Sequence, residues 1–343
     1  MKPILSPFPY FGGKRKVAAQ VWQRFGKVQN YVEPFAGTAA VLFARPLPFD
    51  GNETINDFDG MVANFWRAVK LYPEETVKHA DNLVNENVLH ARHAWLVGQK
   101  ETLAPRLEGD PGWCDPKIAG WWVWGMSCWI GSGFCSGRGP WGVVDGQLVH
   151  LGSNGMGVNR QLVHLGDNGR GSVEGTERKR PALAISGGRG VTRERNLYDW
   201  FGALADRLDR VRVASGDWSR VCGPSVTFKH GMTGVFLDPP YSDTADRANN
   251  LYTHDSVDVA HDVREWAIEN GKRSDMRIAL CGYEGEHEMP GEWETSSWNA
   301  GEGFGGQAEE RSGNGKRERV WFSPACLGAR QGDLFSAGGV GAP

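Results

Sequence analysis

No stretch of this 343-residue chain approaches the ~18 consecutive apolar residues a bilayer-spanning helix requires, and its start has no secretory apolar core. The six cysteines (Cys114, Cys128, Cys135, Cys222, Cys281 and Cys326) form no C-x-x-C pair. That spacing argues against a zinc ribbon or a disulfide framework and for reduced, buried thiols in a cytoplasmic protein. Excess positive charge is also missing. A net charge of −3 does not suit a protein that coats nucleic acid indiscriminately, although it leaves room for a local basic face. The phosphate-loop signature G-x-x-x-x-G-K-[ST] is absent, so Gly12-Gly13-Lys14 does not mark a nucleoside triphosphate site. With 23% charged and 40% hydrophobic residues, the composition is that of an ordinary soluble protein. The length suffices for a full core, divided into a main domain and a subordinate one.

The chain is organised around Val235-Phe236-Leu237-Asp238-Pro239-Pro240-Tyr241. A short apolar run behind Thr233-Gly234 reads as a parallel strand covered on both faces. Two prolines remove backbone donors and fix φ, so the chain leaves the sheet as a stiff, extended turn. A carboxylate, a carbonyl that can only accept and an aromatic ring thus stand at the carboxyl end of a strand, where open α/β sheets bind ligands. Together a carboxylate and a carbonyl can accept both hydrogens of a planar amino group while a ring stacks on its heterocycle.

Other elements frame this one. Lys14 to Arg24 carries Val17, Val21 and Trp22 at helical spacing. Tyr31 to Phe35 reads as the first strand, turning through Ala36-Gly37-Thr38 into a helix over 39–44. Asp57 follows Gly37 by about 20 residues, at the end of the next strand, the spacing at which βαβ units hold a nucleoside through its ribose hydroxyls. Helices are expected over 61–72, 197–208 and 259–270, and strands over 211–214, 277–281 and 319–323. Asp243 to Asn250 reads as a polar loop suited to closing over substrate.

From Pro73 the character changes. Residues 77–100 have helix-forming patches, and the segment with Trp121, Trp122, Trp124 and Trp129 reads as a packed helix pair rather than a platform for bases. Gln147-Leu148-Val149-His150-Leu151-Gly152 recurs as Gln161-Leu162-Val163-His164-Leu165-Gly166. Asp145-Gly146 and two Asn-Gly pairs (154–155, 168–169) supply hairpin turns, so the segment reads as an exposed β-ribbon. His150 and His164 lack a third ligand and are not read as a metal site. Arg138, Arg160, Arg170, Arg178, Lys179 and Arg180 surround the ribbon. They form either a solvated loop or a ribbon whose cations meet DNA in the major groove.

Phe8-Pro9-Tyr10-Phe11-Gly12-Gly13-Lys14, Tyr31-Val32-Glu33-Pro34-Phe35-Ala36-Gly37, Ile55-Asn56-Asp57, Ser215-Gly216-Asp217-Trp218 and Asp238-Pro239-Pro240-Tyr241 occur in that order. The set resembles the Dam-like N6-adenine branch of the amino-group DNA methyltransferases, of phage or prophage type. The resemblance implies an α/β fold: a doubly wound, Rossmann-like sheet with an inserted helical plus β-ribbon target-recognition domain. Residues 1–72 and 196–326 would then be the catalytic domain, 73–195 the recognition insert and 327–343 a disordered tail. It implies S-adenosylmethionine as cofactor, held by Tyr10, Lys14, Glu33, Phe35, Gly37, Asp57, Asp217 and Trp218. Asp238, Pro239 and Tyr241 would be catalytic, acting on an adenine flipped out of double-stranded DNA, with no metal and no membrane. One departure stands out: the Asn-Val-Pro-aromatic-Gly stretch of many Dam-like enzymes is missing, so the resemblance does not carry over a recognised DNA sequence. Cytosine-N4 methylation, an inactive DNA-binding protein of the same fold and an RNA substrate stay open at this point.

Overall fold

Short apolar runs closed by turn formers become strands here, and apolar residues at three- and four-residue spacing become helices. The computed structural model describes residues 6–8, 14–129, 134–135, 141–144, 147–150, 197–240, 257–298 and 318–328. In chain order come α1 (Arg15–Phe25), β1 (Asn30–Glu33), α2 (Ala40–Phe43), β2 (Asn52–Asp57), α3 (Gly60–Leu71), α4 (Pro73–Ala80), α5 (Glu86–Gly109) and α6 (Pro116–Cys128). The strands β3 (Trp141–Val144) and β4 (Gln147–His150) follow, then α7 (Leu197–Leu208), β5 (Val211–Ser215) and β6 (Thr233–Leu237). The last elements are α8 (Val257–Asn270), β7 (Met276–Tyr283), β8 (Glu294–Ser297) and β9 (Glu318–Phe322).

The chain divides into two compact units. One comprises Met1–Ile4, Tyr10–Phe58 and Arg210–Pro343, the other Leu5–Pro9 and Asp59–Asp209. The first unit carries a seven-stranded sheet of order β5-β2-β1-β6-β7-β9-β8. Strands β5, β2, β1, β6 and β7 pair in parallel, whereas β9 runs antiparallel to both β7 and β8. The strand order reverses between β1 and β6, which creates a crevice at their carboxyl ends. Helices cover both faces, as the apolar run of β6 requires. Val235 and Leu237 pack in one cluster with Val263 and Ala267 of α8. Gly234 points the other way, where Phe25 of α1 lies so close that an added Cβ would sit 2.8 Å from its ring. Strand β8, Glu294-Thr295-Ser296-Ser297, has no apolar signal, and its pairing with β9 at the sheet edge makes it a strand.

The second unit is helical. Asp59, Asn85 and Asp115 cap α3, α5 and α6 through their side chains, each satisfying otherwise orphaned backbone donors. Its core is aromatic: Phe8, Phe65, Trp66, Trp122 and Phe201 meet at centroid distances of 4.8–6.1 Å. Trp122 and Trp124 are buried, so the tryptophan-rich segment is mainly packed helix, with Trp121 and Trp129 left half-exposed. The Arg67 guanidinium binds the carbonyls of Leu107, Asp110 and Trp113 and so fixes the exit of α5. Helices α3 and α7 belong to this unit, whereas the sequence reading groups them with the sheet. Strands β3 and β4 pair antiparallel, with Val144 opposite Gln147, and the expected turn at Asp145-Gly146 lies outside the described residues. The second copy of the repeat lies outside the described residues.

All six cysteines are free and buried, and burial pushes Cys114 and Cys326 up to about 11 and Cys128 to about 12. Among the described residues, no helix is long and apolar enough to cross a membrane, and no group of three His, Cys, Asp or Glu could hold a metal.

Two alanine substitutions should move stability in opposite directions. At Gly120 of α6 a Cβ would collide with the His79 Cβ and sit 2.5 Å from the Thr76 carbonyl oxygen. Gly120→Ala should therefore destabilise by about 1–3 kcal/mol through overpacking. Gly98 of α5 is exposed with nothing within 4 Å of an added Cβ, so Gly98→Ala should stabilise by about 0.5–1 kcal/mol. Urea unfolding of the two variants beside wild type measures both.

Candidate active site

Four strand ends converge on the crevice. After β1 the chain runs Pro34-Phe35-Ala36 into Gly37 and Ala39, which adopt left-handed φ of 45° and 50°. For Ala39 this conformation costs of order 1–3 kcal/mol, a strain of the kind found at ligand-binding turns. The turn is held from the neighbouring strand: the Ala36 N–H donates to the Asn56 carbonyl (2.9 Å) and the Gly37 N–H to Asp57 Oδ2 (2.8 Å). The glycine–acid spacing noted in the sequence is thus a direct hydrogen bond.

On the far side of β2 the Gly216 N–H donates to the Asp57 carbonyl at 3.1 Å. The buried Asn56 amide spans both loops, its Nδ2 donating to Pro34 O (3.0 Å) and Gly216 O (2.9 Å). Its Oδ1 and the Ser215 hydroxyl are buried without a hydrogen-bond partner. Asp217 caps the short 3-10 turn Trp218–Val221 by accepting from the Ser219 N–H and hydroxyl. Trp218 lies near-parallel to Phe35, with centroids 6.4 Å apart and planes at 27°, and its other neighbour is Trp266.

Asp238 stands at the end of β6, half-buried and paired with Lys14 Nζ at 2.9 Å. Lys14 is itself buried and reaches Glu318 Oε2 of β9 at 3.7 Å, with the Trp298 ring 5.4 Å away. Burial by itself would lower the lysine pKa, but the Asp238 and Glu318 carboxylates outweigh it and hold the ammonium well above its usual range. Burial also pushes the neighbouring Cys281 thiol far up, with Asp238 adding to the effect.

Glu33 turns back into the core. Its Oε2 accepts from the Tyr31 hydroxyl (2.9 Å) and the Leu42 N–H (3.2 Å). Burial raises its pKa to about 8, with Asp238 and Glu53 adding to the rise and the two hydrogen bonds offsetting part of it. A carboxyl group that is mostly protonated at neutral pH therefore sits behind the crevice.

Of the residues expected from sequence, Lys14, Glu33, Phe35, Gly37, Asp57, Asp217, Trp218, Asp238 and Pro239 all lie at these strand ends or beside them. Tyr10, Tyr241, Arg138, Arg160, Arg170, Arg178, Lys179 and Arg180 lie outside the described residues. Sequence reasoning missed Glu318 and the bridging side chain of Asn56. Asn56 carried one available signal, its place beside Asp57 at the end of an expected strand.

Residues 10–96 match the family model of the D12 class N6 adenine-specific DNA methyltransferase. The match takes in Lys14, Gly37 and Asp57 and ends before Asp238. No curated protein matches the chain.

Glu33 makes stability depend on pH. The folded state keeps its proton up to about pH 8, whereas the unfolded chain releases it near the ordinary carboxylate value of about 4.3. Between these limits the folded state binds more protons, so this contribution falls as pH rises. Glu33→Gln retains an acceptor for Tyr31 and Leu42 but cannot ionise. Its unfolding free energy should gain on that of wild type steadily from pH 5 to pH 8. A constant gap over that range would mean that Glu33 is already ionised in the fold.

Proposed function

We propose that this member of the D12 class N6 adenine-specific DNA methyltransferase family moves the methyl group of S-adenosylmethionine to N6 of an adenine flipped out of double-stranded DNA. The observation that carries this reading is the position of Asp238-Pro239. It leaves β6 at the reversal of strand order, beside the β1 loop that Asp57 holds, in a chain whose first part matches that family.

The residues at the strand ends suit a nucleoside cofactor. Asp57 is only half-buried and can accept from ribose hydroxyls, while Phe35 and Trp218 offer aromatic surface to a base. The orphaned Asn56 Oδ1 and Ser215 Oγ at the same strand ends are consistent with a polar ligand there. When bound, S-adenosylmethionine supplies an electrophilic methyl group on a sulfonium.

The exocyclic nitrogen of adenine is a weak nucleophile because its lone pair is delocalised into the ring. Asp238 and the Pro239 carbonyl accept hydrogen bonds from its two hydrogens, which draws the lone pair out of conjugation and onto nitrogen as positive charge develops there. Once the nitrogen carries the methyl group, one of those hydrogens leaves as a proton through Asp238. Lys14 fixes the carboxylate that does this, and Glu318 holds Lys14 from the other side. Positioning and electrostatics carry the rate, with no strongly basic side chain required. The amino group is inaccessible within a duplex, so the base leaves the stack, and the Tyr241 ring of the motif is its stacking partner. Residues 73–195 serve target recognition in this reading, with Arg138, Arg160, Arg170, Arg178, Lys179 and Arg180 on the DNA.

Asp57→Ala should weaken S-adenosylmethionine binding by about 1.5–3 kcal/mol, the worth of one hydrogen bond to a charged group. Calorimetry giving unchanged affinity in a folded variant would remove Asp57 from the cofactor site. Asp238→Asn should still bind cofactor but lose about 100- to 1,000-fold in single-turnover methyl transfer. Digesting the labelled duplex and separating its nucleosides identifies the product. Label in N4-methylcytosine would overturn the adenine assignment, and near-wild-type turnover by the variant would overturn the mechanism.

A further inference from the structure

The helical unit carries a cation–aromatic ladder outside the crevice. The Arg92 guanidinium carbon lies 4.4 Å from the Trp124 ring centroid and 4.8 Å from that of Trp121. Lys117 Nζ lies 4.5 Å from Trp121 and 4.4 Å from Trp95, and these two indoles meet edge to face at 5.0 Å. Arg92, Trp95, Lys117 and Trp121 are all half-buried. Among the described residues neither cationic head is ion-paired to a carboxylate, and Arg92 Nη1 is buried without a hydrogen-bond partner. Asp115, the nearby acid, spends its Oδ1 on capping α6 through the Lys117 and Ile118 N–H groups. Burial lowers the His79 imidazole pKa, and Lys117 and Arg92 lower it further, while Asp115 and Glu75 oppose them.

The ladder heads a longer stripe. On α5 the side chains of Leu89, His93, Leu96, Leu103 and Leu107 are buried. Arg92, Trp95, Gln99, Thr102 and Arg106 recur at three- and four-residue spacing on another face, which contains no acid. This face extends about 21 Å at 1.5 Å per residue. At its far end the exposed Arg106 lies over Trp113 at 4.0 Å. A guanidinium or ammonium held against flat rings loses little further freedom when it meets an anion. A cation row without a carboxylate partner among the described residues is a local exception on a chain of net charge −3, and such a row fits a linear polyanion.

We infer that this face grips the backbone phosphates of the duplex DNA substrate, with Arg92 and Lys117 as its two principal contacts. Duplex DNA carries about one charge per 1.7 Å of axis, and neutralising each phosphate releases counterions, so every contact leaves a mark on the salt dependence of binding. The inference rests on the DNA-methylating function proposed above and adds a gripping surface that does not involve the β-ribbon.

Arg92→Gln, Lys117→Gln and the double variant test it. Affinity for a short fluorescent duplex is measured by anisotropy across a salt series, with circular dichroism and S-adenosylmethionine binding to verify the fold. The slope of log affinity against log salt should become shallower by about 0.9 for each cation removed, with cofactor affinity unchanged. An unchanged slope in a folded double variant overturns the inference, as does a loss confined to single-stranded RNA or to an acidic protein. Should the double variant not fold, Lys117→Gln decides on the same scale. A wild-type protein that neither binds nor methylates duplex DNA removes the proposed function and this inference together. Wild-type methylation with slopes unchanged in the variants removes the inference only.

Discussion

A single buried ammonium ties the crevice together. Lys14 Nζ joins the start of α1 to the end of β6 through Asp238 and to the start of β9 through Glu318. Two carboxylates for one cation leave the cluster with an excess of negative charge. Burying such groups is costly, and removing one partner from a buried pair typically costs about 3–5 kcal/mol because it strands the other. The arrangement is therefore more readily understood as a means of holding Asp238 in place than as a source of stability. An excess of negative charge is also what a nitrogen becoming cationic would meet favourably.

Around that cluster the strand ends are stitched by short-range polar contacts. Asp57 binds the Gly37 N–H with its side chain and the Gly216 N–H with its carbonyl, and Asn56 reaches the carbonyls on both sides. The three loops after β1, β2 and β5 thus keep a fixed separation, although each is only a few residues long. Rigid loops on a parallel sheet are what a binding site needs, since ordering them at the moment of binding would subtract from affinity.

Much of this arrangement could be read from the chain. The uninterrupted apolar run of Val235-Phe236-Leu237 implied a strand covered on both faces, and all three residues are buried. The spacing from Gly37 to Asp57 anticipated their proximity, and the helix expected over 197–208 has those bounds. What stayed hidden depended on tertiary partners. Glu318 stands among Lys316, Arg317 and Arg319, where a charged residue reads as solvated, and it is buried because β9 pairs with β7 opposite Tyr283. Strand β8 is polar throughout and acquires its conformation from its neighbour. The grouping of α3 with the other helices follows from Phe65 meeting Trp122 and Phe201, contacts between residues too far apart in sequence for periodicity to indicate.

The reversal between β1 and β6 also bears on how the chain is made. Asn30 of β1 pairs with Thr233 of β6, so the centre of the sheet joins segments separated by about two hundred residues. At synthesis rates of about 5–20 residues per second, β1 waits roughly 10–40 s for that partner to emerge. Its pairing with β2 is available much earlier, but that leaves one edge of β1 unpaired until β6 arrives. The helical unit is drawn almost entirely from Asp59–Asp209 and emerges during the wait. For a nascent chain, the vulnerable interval is the one in which the eventual binding crevice exists only as half a sheet.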